Sequence, residues 1–240
     1  MNKYVKYILI IPLFYFSVNR SCGQIKNPFK KATSFFKGGS LTEAEVISGL
    51  KAALEKGVTT SSEKASRVDG YYGNSLIRIP FPPEAKEAEA RLRSIGMGDE
   101  INKFIISLNR GAEKAAKEAS PIFASAIKSM TVKDAWGILK GENDAATQYL
   151  NKTTSPQLNA KFLPIISDAL EEVNATRYYA DLINVYNKIP FVKKLNPDLD
   201  TYATEQAIKG LFVLIAKEEA RIREDPAART SEILKKVFGQ

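Results

Sequence analysis

The 240 residues carry no histidine and a single cysteine, Cys22, with 35 basic against 27 acidic side chains and a formal charge of +8. Without histidine, Ser–His and Cys–His nucleophile pairs, imidazole proton shuttles and His-rich metal sites are excluded, and one cysteine admits no internal disulfide. Bases and acids are interspersed along the chain, which describes a solvated surface and not a nucleic-acid footprint.

The chain opens on a basic hexapeptide containing Lys3 and Lys6, followed by an apolar run over residues 7–18 broken only by Pro12 and Ser17. A membrane-spanning helix needs about 20 apolar residues, so this shorter run with its basic flank reads as a secretory signal over residues 1–23. Ser21 and Gly23 place small residues where a cut before Gln24 requires them. The alternative is lipoprotein processing at Cys22, against which Arg20 stands unfavourably. The address expected is the periplasm or cell envelope, with membrane association only if Cys22 is acylated. Simple cleavage removes Lys3, Lys6 and Arg20 and lowers the charge by three, to +5. It leaves about 217 residues without cysteine, enough for one unstapled domain.

Residues 24–40 read as a linker carrying Phe29, Phe35 and Phe36, and residues 41–240 as a single helical domain. Thr42 and Glu45 form a capping-box start, after which Val46, Ile47, Leu50 and Leu54 recur at helical spacing. Turn residues break the pattern at 69–74, and residues 76–81 alternate apolar with polar as a short extended segment. Pro82-Pro83 opens a charged helix that stops at Gly96. Asp99 is the expected N-cap of the next helix, with Ile101, Phe104, Ile105 and Leu108 on its apolar stripe. Pro121 ends or bends that helix, and Ile122, Phe123 and Ile127 continue the face. Thr131 and Asp134 repeat the capping pattern before Trp136, Ile138 and Leu139. Ser155-Pro156 reads as a further helix start, leading to Leu158, Phe162, Ile165, Ile166 and Leu170, with a bend at Pro164. A helix over 175–188 turns Tyr178, Leu182, Val185 and Tyr186 inward. After a linker to Pro197, a long helix spans 199–223, its run over 211–216 apolar all round as in a central core helix. A short amphipathic helix over 233–238 closes the chain. The fold class expected is all-α, a single-domain multi-helix bundle with one short extended segment near 76–81.

Three polar constellations stand out. Glu218, Glu219, Arg223 and Arg229 mark the end of the last long helix, with Glu219 and Arg223 four apart in the favourable order for an ion pair. This is either a salt-bridged helix end or a charged pocket in which Arg223 or Arg229 fixes a carboxylate or phosphate. Tyr71, Tyr72, Asn74 and Arg78 lie on the break between helices, as a structured turn or the rim of a binding site. Asn109, Arg110 and Glu113 on one helix, with Thr147 and Tyr149 beyond the 141–144 turn, are either buried polar groups bonded to loops or a ligand-orienting set. No catalytic residue, cofactor or metal is implied: residues 142–144 are too short a run for a calcium loop, and no phosphate-cradling loop is present. A Ser–Lys dyad remains formally open.

Gly70-Tyr71-Tyr72-Gly73-Asn74, Ile77-Arg78-Ile79-Pro80, Asn109-Arg110, Ala112-Glu113, Pro121-Ile122-Phe123 and Ala145-Ala146-Thr147-Gln148-Tyr149 form a connected set of motifs. The C-terminal stretch from Gly210-Leu211-Phe212 through Glu218-Glu219 to Arg223-Glu224-Asp225-Pro226 is the most specific of them. Together they resemble the bacterial DUF4197 family, secreted or envelope-associated helical proteins of unknown function, from about Gly49 to Gly239. The resemblance implies a helical fold and an envelope address and supplies no catalytic residues. The function expected is a non-enzymatic envelope binding or scaffold protein, for a small apolar or amphipathic ligand or an envelope protein partner. The alternative is a carboxylate-dependent hydrolase of envelope glycans, requiring two of Glu113, Asp134, Glu218 and Glu219 facing each other about 5–10 Å apart.

Overall fold

A computed structural model describes residues 42–172, 174–195, 199–228 and 235. Eight α-helices account for most of them. They are α1 (Glu43–Ser66), α2 (Lys86–Ser94), α3 (Gly98–Ala116), α4 (Ala119–Ser129), α5 (Val132–Lys140), α6 (Ala145–Glu172), α7 (Ala175–Asn187) and α8 (Asp200–Glu224). Single 3₁₀ turns occupy Pro83–Ala85 and Pro226–Ala228. The chain is all-α, and no strand occurs among the described residues. The expected signal, the linker and the helix over 233–238 lie outside the described residues.

Both capping boxes form. The Thr42 backbone N–H donates to Glu45 Oε2 at 2.6 Å and the Glu45 N–H returns to Thr42 Oγ1 at 3.3 Å. Thr131 and Asp134 do the same at the start of α5, at 3.0 and 3.2 Å. Each supplies partners for N–H groups that a helix start leaves unbonded.

The core is continuous through α3, α6 and α8, with α1, α4 and α7 packed around them. Phe104 on α3 stacks on Tyr179 of α7 at 5.1 Å and meets Phe81 edge-on at 5.2 Å. Phe123 on α4 meets Phe212 on α8 edge-on at 5.7 Å. In the apolar run of α8, Leu211, Phe212, Leu214 and Ile215 are buried, as a central helix requires.

Five sequence expectations change. Pro121 neither ends nor bends α3, which stops at Ala116; it lies in the first turn of α4, where a proline is tolerated. Ser155-Pro156 does not begin a helix: α6 starts ten residues earlier, at Ala145, and runs through both Pro156 and Pro164. An interior proline costs about 3 kcal/mol, which burial along this helix outweighs. Every fourth residue from Ala146 through Leu150, Thr154, Leu158, Phe162 and Ile166 to Leu170 is buried. Four residues advance roughly 40° beyond a full turn, so this stripe winds around α6 and meets several neighbours. Asp99 sits in the first turn of α3, which Met97 precedes as N-cap. On α7 the inward tyrosine is Tyr179, 2% exposed, and not Tyr178, 36% exposed. The segment at 76–81 keeps its alternation, with Ile77, Ile79 and Phe81 buried, but Leu76 and Ile77 lie in a turn where the Asn74 carbonyl accepts the Ile77 and Arg78 N–H groups at 3.1 and 2.8 Å, and no strand pairs with the rest.

Candidate functional site

The segment between α1 and α2 is fastened onto α3 by two polar side chains. Asn109, fully buried, takes the place of a neighbouring strand for Ile79. Its Oδ1 accepts the Ile79 N–H at 2.8 Å, and its Nδ2 donates to the Ile79 and Ile105 carbonyls, each at 2.8 Å. One side chain thereby satisfies both backbone groups of a buried, unladdered residue.

One turn along α3, Glu113 holds the tyrosine turn. Its Oε1 accepts the Tyr71 and Tyr72 N–H groups at 3.1 and 3.3 Å, while Oε2 pairs with Arg110 Nη1 at 2.7 Å. Arg110 extends to Asp69 Oδ1 at 2.7 Å. Asp69 occupies the left-handed region, φ 63°, and opens the tight turn in which a Cβ on Gly70 would come within 2.4 Å of the Ala65 carbonyl oxygen. Tyr71 is fully buried and donates its hydroxyl to the Ala207 carbonyl of α8 at 2.6 Å, and burial pushes that hydroxyl far above its ordinary pKa. Gly210 lets the ring approach, since a Cβ there would stand 2.7 Å from the Tyr71 ring. The outward part is smaller. Arg78, exposed, lies over the half-buried Tyr72 ring at 4.3 Å, with the Arg110 guanidinium 6.0 Å from the same ring. Asn74 closes the turn by accepting the Leu76 N–H at 3.1 Å.

A second fastening joins α5, α6 and α8. Glu219 of α8 accepts the Ala146 N–H at 2.9 Å, and the Thr147 N–H and hydroxyl at 2.8 Å each. A carboxylate from a distant helix thus caps the positive N-terminus of α6. Arg223 donates to Glu219 Oε1 through Nη2 at 2.9 Å and Nε at 3.1 Å, and to the Ile138 carbonyl at the end of α5 at 2.8 Å. The pair therefore closes two helix ends at once.

Glu218 faces α1, where it pairs with Arg221 of its own helix and with Lys64 at 3.6 Å. Burial works to raise its carboxyl, but the Arg221 hydrogen bonds and the Arg221 and Lys64 charges prevail and hold it below the ordinary 4.5. The pairing therefore contributes stability above that ordinary value and loses it as pH falls through the lowered folded one. Glu218→Gln is expected to flatten the acid limb of a stability–pH curve relative to the parent, followed by denaturant unfolding across the carboxylate range. Parallel acid limbs would contradict this pairing.

Thr147 and Tyr149, expected beside Asn109, Arg110 and Glu113, lie apart from them. Thr147 belongs to the Glu219–Arg223 fastening, and Tyr149 packs where the main core meets a smaller cluster around Leu50 and Ile138. Arg229 lies outside the described residues. Lys64, Asp69 and Arg221 escaped sequence reading, being partners across elements or in a turn. The one signal in the sequence was Arg221 three residues after Glu218.

Of the four acids that a hydrolase would draw on, Glu113, Glu218 and Glu219 are buried and ion-paired. Asp134 is held below its ordinary value by its hydrogen bonds from the Thr131 hydroxyl and N–H. A glycosidic acid needs its pKa raised, and the two shifted members move the other way. An apolar cavity between α1, α5, α6 and α8, edged by Glu219 and Arg223, measures about 30 Å³. That is room for about one water, against roughly 300–1,000 Å³ for a ligand pocket. Among the described residues, no group of three or more His, Cys, Asp or Glu side chains is placed to hold a metal ion.

These features define an all-α, single-domain helical protein whose buried charges bind helix ends and loops to one another. The family model described as "Protein of unknown function (DUF4197)" matches residues 40–239, and the chain belongs to that family. No curated protein and no solved structure matches it.

Proposed function

We propose that this chain is a non-enzymatic binding or scaffold protein of the cell envelope that engages an envelope protein partner through its outer surface. The observation that carries the reading is how the polar clusters are used. Asn109, Glu113, Glu219 and Arg223 are all committed to backbone groups or to each other inside the fold. These four side chains are thereby spent on the fold. The apolar cavity beside Glu219 measures only about 30 Å³, and the hollow of about 780 Å³ along α1 beside Val132 is open to solvent, which favours a partner met at the surface over an enclosed ligand. Arg78, Tyr72 and Asn74 are the outward members of the candidate set, and stacked Arg–Tyr surfaces are favoured at protein interfaces. The basic and then apolar start of the chain supports export, by cleavage before Gln24 or by acylation at Cys22. Native mass spectrometry of protein taken from its own envelope fraction tests the reading. The expected species carries no small molecule and has a mass beginning at Gln24 or at lipid-modified Cys22.

A further inference from the structure

The connection between α7 and α8 presents an aromatic side chain to solvent on a firmly held base. Asn187 at the end of α7 grips Leu195 from both sides: its Nδ2 donates to the Leu195 carbonyl at 3.1 Å, and its Oδ1 accepts the Leu195 N–H at 3.0 Å. Ile189, Val192 and Leu195 root the loop by packing against the main core. Phe191 points away from all of this and is fully exposed, at 108%. Its backbone lies in the left-handed region, φ 65°, which is costly for a bulky residue. The fold therefore maintains a strained turn whose product is an unpacked phenylalanine.

Next to it in the chain the charge is basic, the nearest acids being Asp181 before it and Asp198 and Asp200 after it. Lys188, Lys193 and Lys194 flank Phe191 and are all exposed, and none of them enters an ion pair among the described residues. From Arg177 to Lys194 the sole acid is Asp181, already 4.0 Å from Arg177. A protruding aromatic flanked along the chain by three exposed lysines matches a surface with an apolar interior and anionic headgroups.

We propose that residues 188–195 form a contact site for an anionic lipid surface, with Phe191 entering the acyl boundary and Lys188, Lys193 and Lys194 meeting lipid phosphates. This goes beyond the scaffold reading and does not depend on it. Vesicle contact is measured with purified protein, so it fails separately from partner docking. No described helix is long and apolar enough to cross a membrane, so the contact is peripheral.

The test places an indole at the tip. Trp136 is the only tryptophan, so Phe191→Trp in a Trp136→Phe full-length chain reports from the loop alone. With phosphatidylglycerol-containing vesicles its emission is expected to shift to the blue and to be quenched by brominated acyl chains, and to stay unchanged with phosphatidylcholine alone. Replacing Lys188, Lys193 and Lys194 together by Gln should weaken that quenching response about 100-fold in lipid concentration, at about five-fold per lysine. Phe191→Ala in the otherwise native chain should lower vesicle partitioning about ten-fold. The residue is fully exposed, so folding is not at issue. An indole that stays unquenched, whether or not the chain sediments with the vesicles, overturns the proposal. Equal quenching in neutral vesicles overturns it too.

Discussion

Arg223→Ala is expected to lower the free energy of unfolding by about 3–5 kcal/mol, the cost of stranding one member of a buried ion pair. The side chains of Arg223 and Glu219 are 11% and 7% exposed. Removing the guanidinium leaves a carboxylate inside the protein and withdraws the donor from the Ile138 carbonyl. The Ala146 and Thr147 N–H groups still solvate Glu219, which places the loss toward the lower end of that range. Glu219→Ala should cost as much by a different route, because it uncaps α6 and leaves Arg223 without its carboxylate. Denaturant unfolding checks both, read as a shift in midpoint at constant slope. The double variant should lose less than the sum of the singles, because the two side chains share one network. An unchanged midpoint in Arg223→Ala would show that the pair is dispensable to the fold and return Arg223 to the functional candidates.

Asn109→Ala carries the second large effect, about 3 kcal/mol. The substitution deletes three hydrogen bonds and leaves the Ile79 N–H and carbonyl in a buried site without partners, at roughly 1–3 kcal/mol for each orphaned group. Asn109→Leu fills the space but restores neither bond, so it should recover little. The local signature is the exchange of the Ile79 amide, which should lose its protection while α3 amides keep theirs. Retained protection at Ile79 would contradict the role given to Asn109.

Helix starts written in a local code were legible, as at Thr42–Glu45 and Thr131–Asp134, where both partners lie three residues apart. The all-α class and the central position of α8 followed from periodicity in the same way. The start of α6 was not legible, because its N-terminal cap, Glu219, lies 73 residues away from Ala146. Asp144 stands at that end, but its side chain accepts from the Gln148 amide at 2.8 Å while the first-turn N–H groups of Ala146 and Thr147 go to Glu219, and Pro156 offered a false start. The Tyr178–Tyr179 choice failed for a smaller reason: adjacent tyrosines differ by one helical step, and either satisfies the spacing to Leu182 and Tyr186.

The candidate residues were visible as residue types, but their partners were not. Asn109, Glu113 and Glu219 announced themselves as polar positions on apolar-striped helices. That Asn109 would bond Ile79 across 30 residues, or Glu113 reach Tyr71 across 42, is set by tertiary packing. The alternating segment at 76–81 shows the same limit. Its pattern of burial was readable, while its hydrogen-bonding partner turned out to be a side chain of α3 instead of a strand.

The protein works through its surface, with Asn109, Glu113, Glu219 and Arg223 spent on holding the fold. Native mass spectrometry of the chain released from its own envelope fraction, followed by denaturation to free anything bound, addresses it most directly. The account predicts identical protein masses before and after denaturation, with no lipid or metabolite at fixed stoichiometry beyond any acyl chain carried covalently on Cys22. A small molecule released in a one-to-one ratio would contradict it.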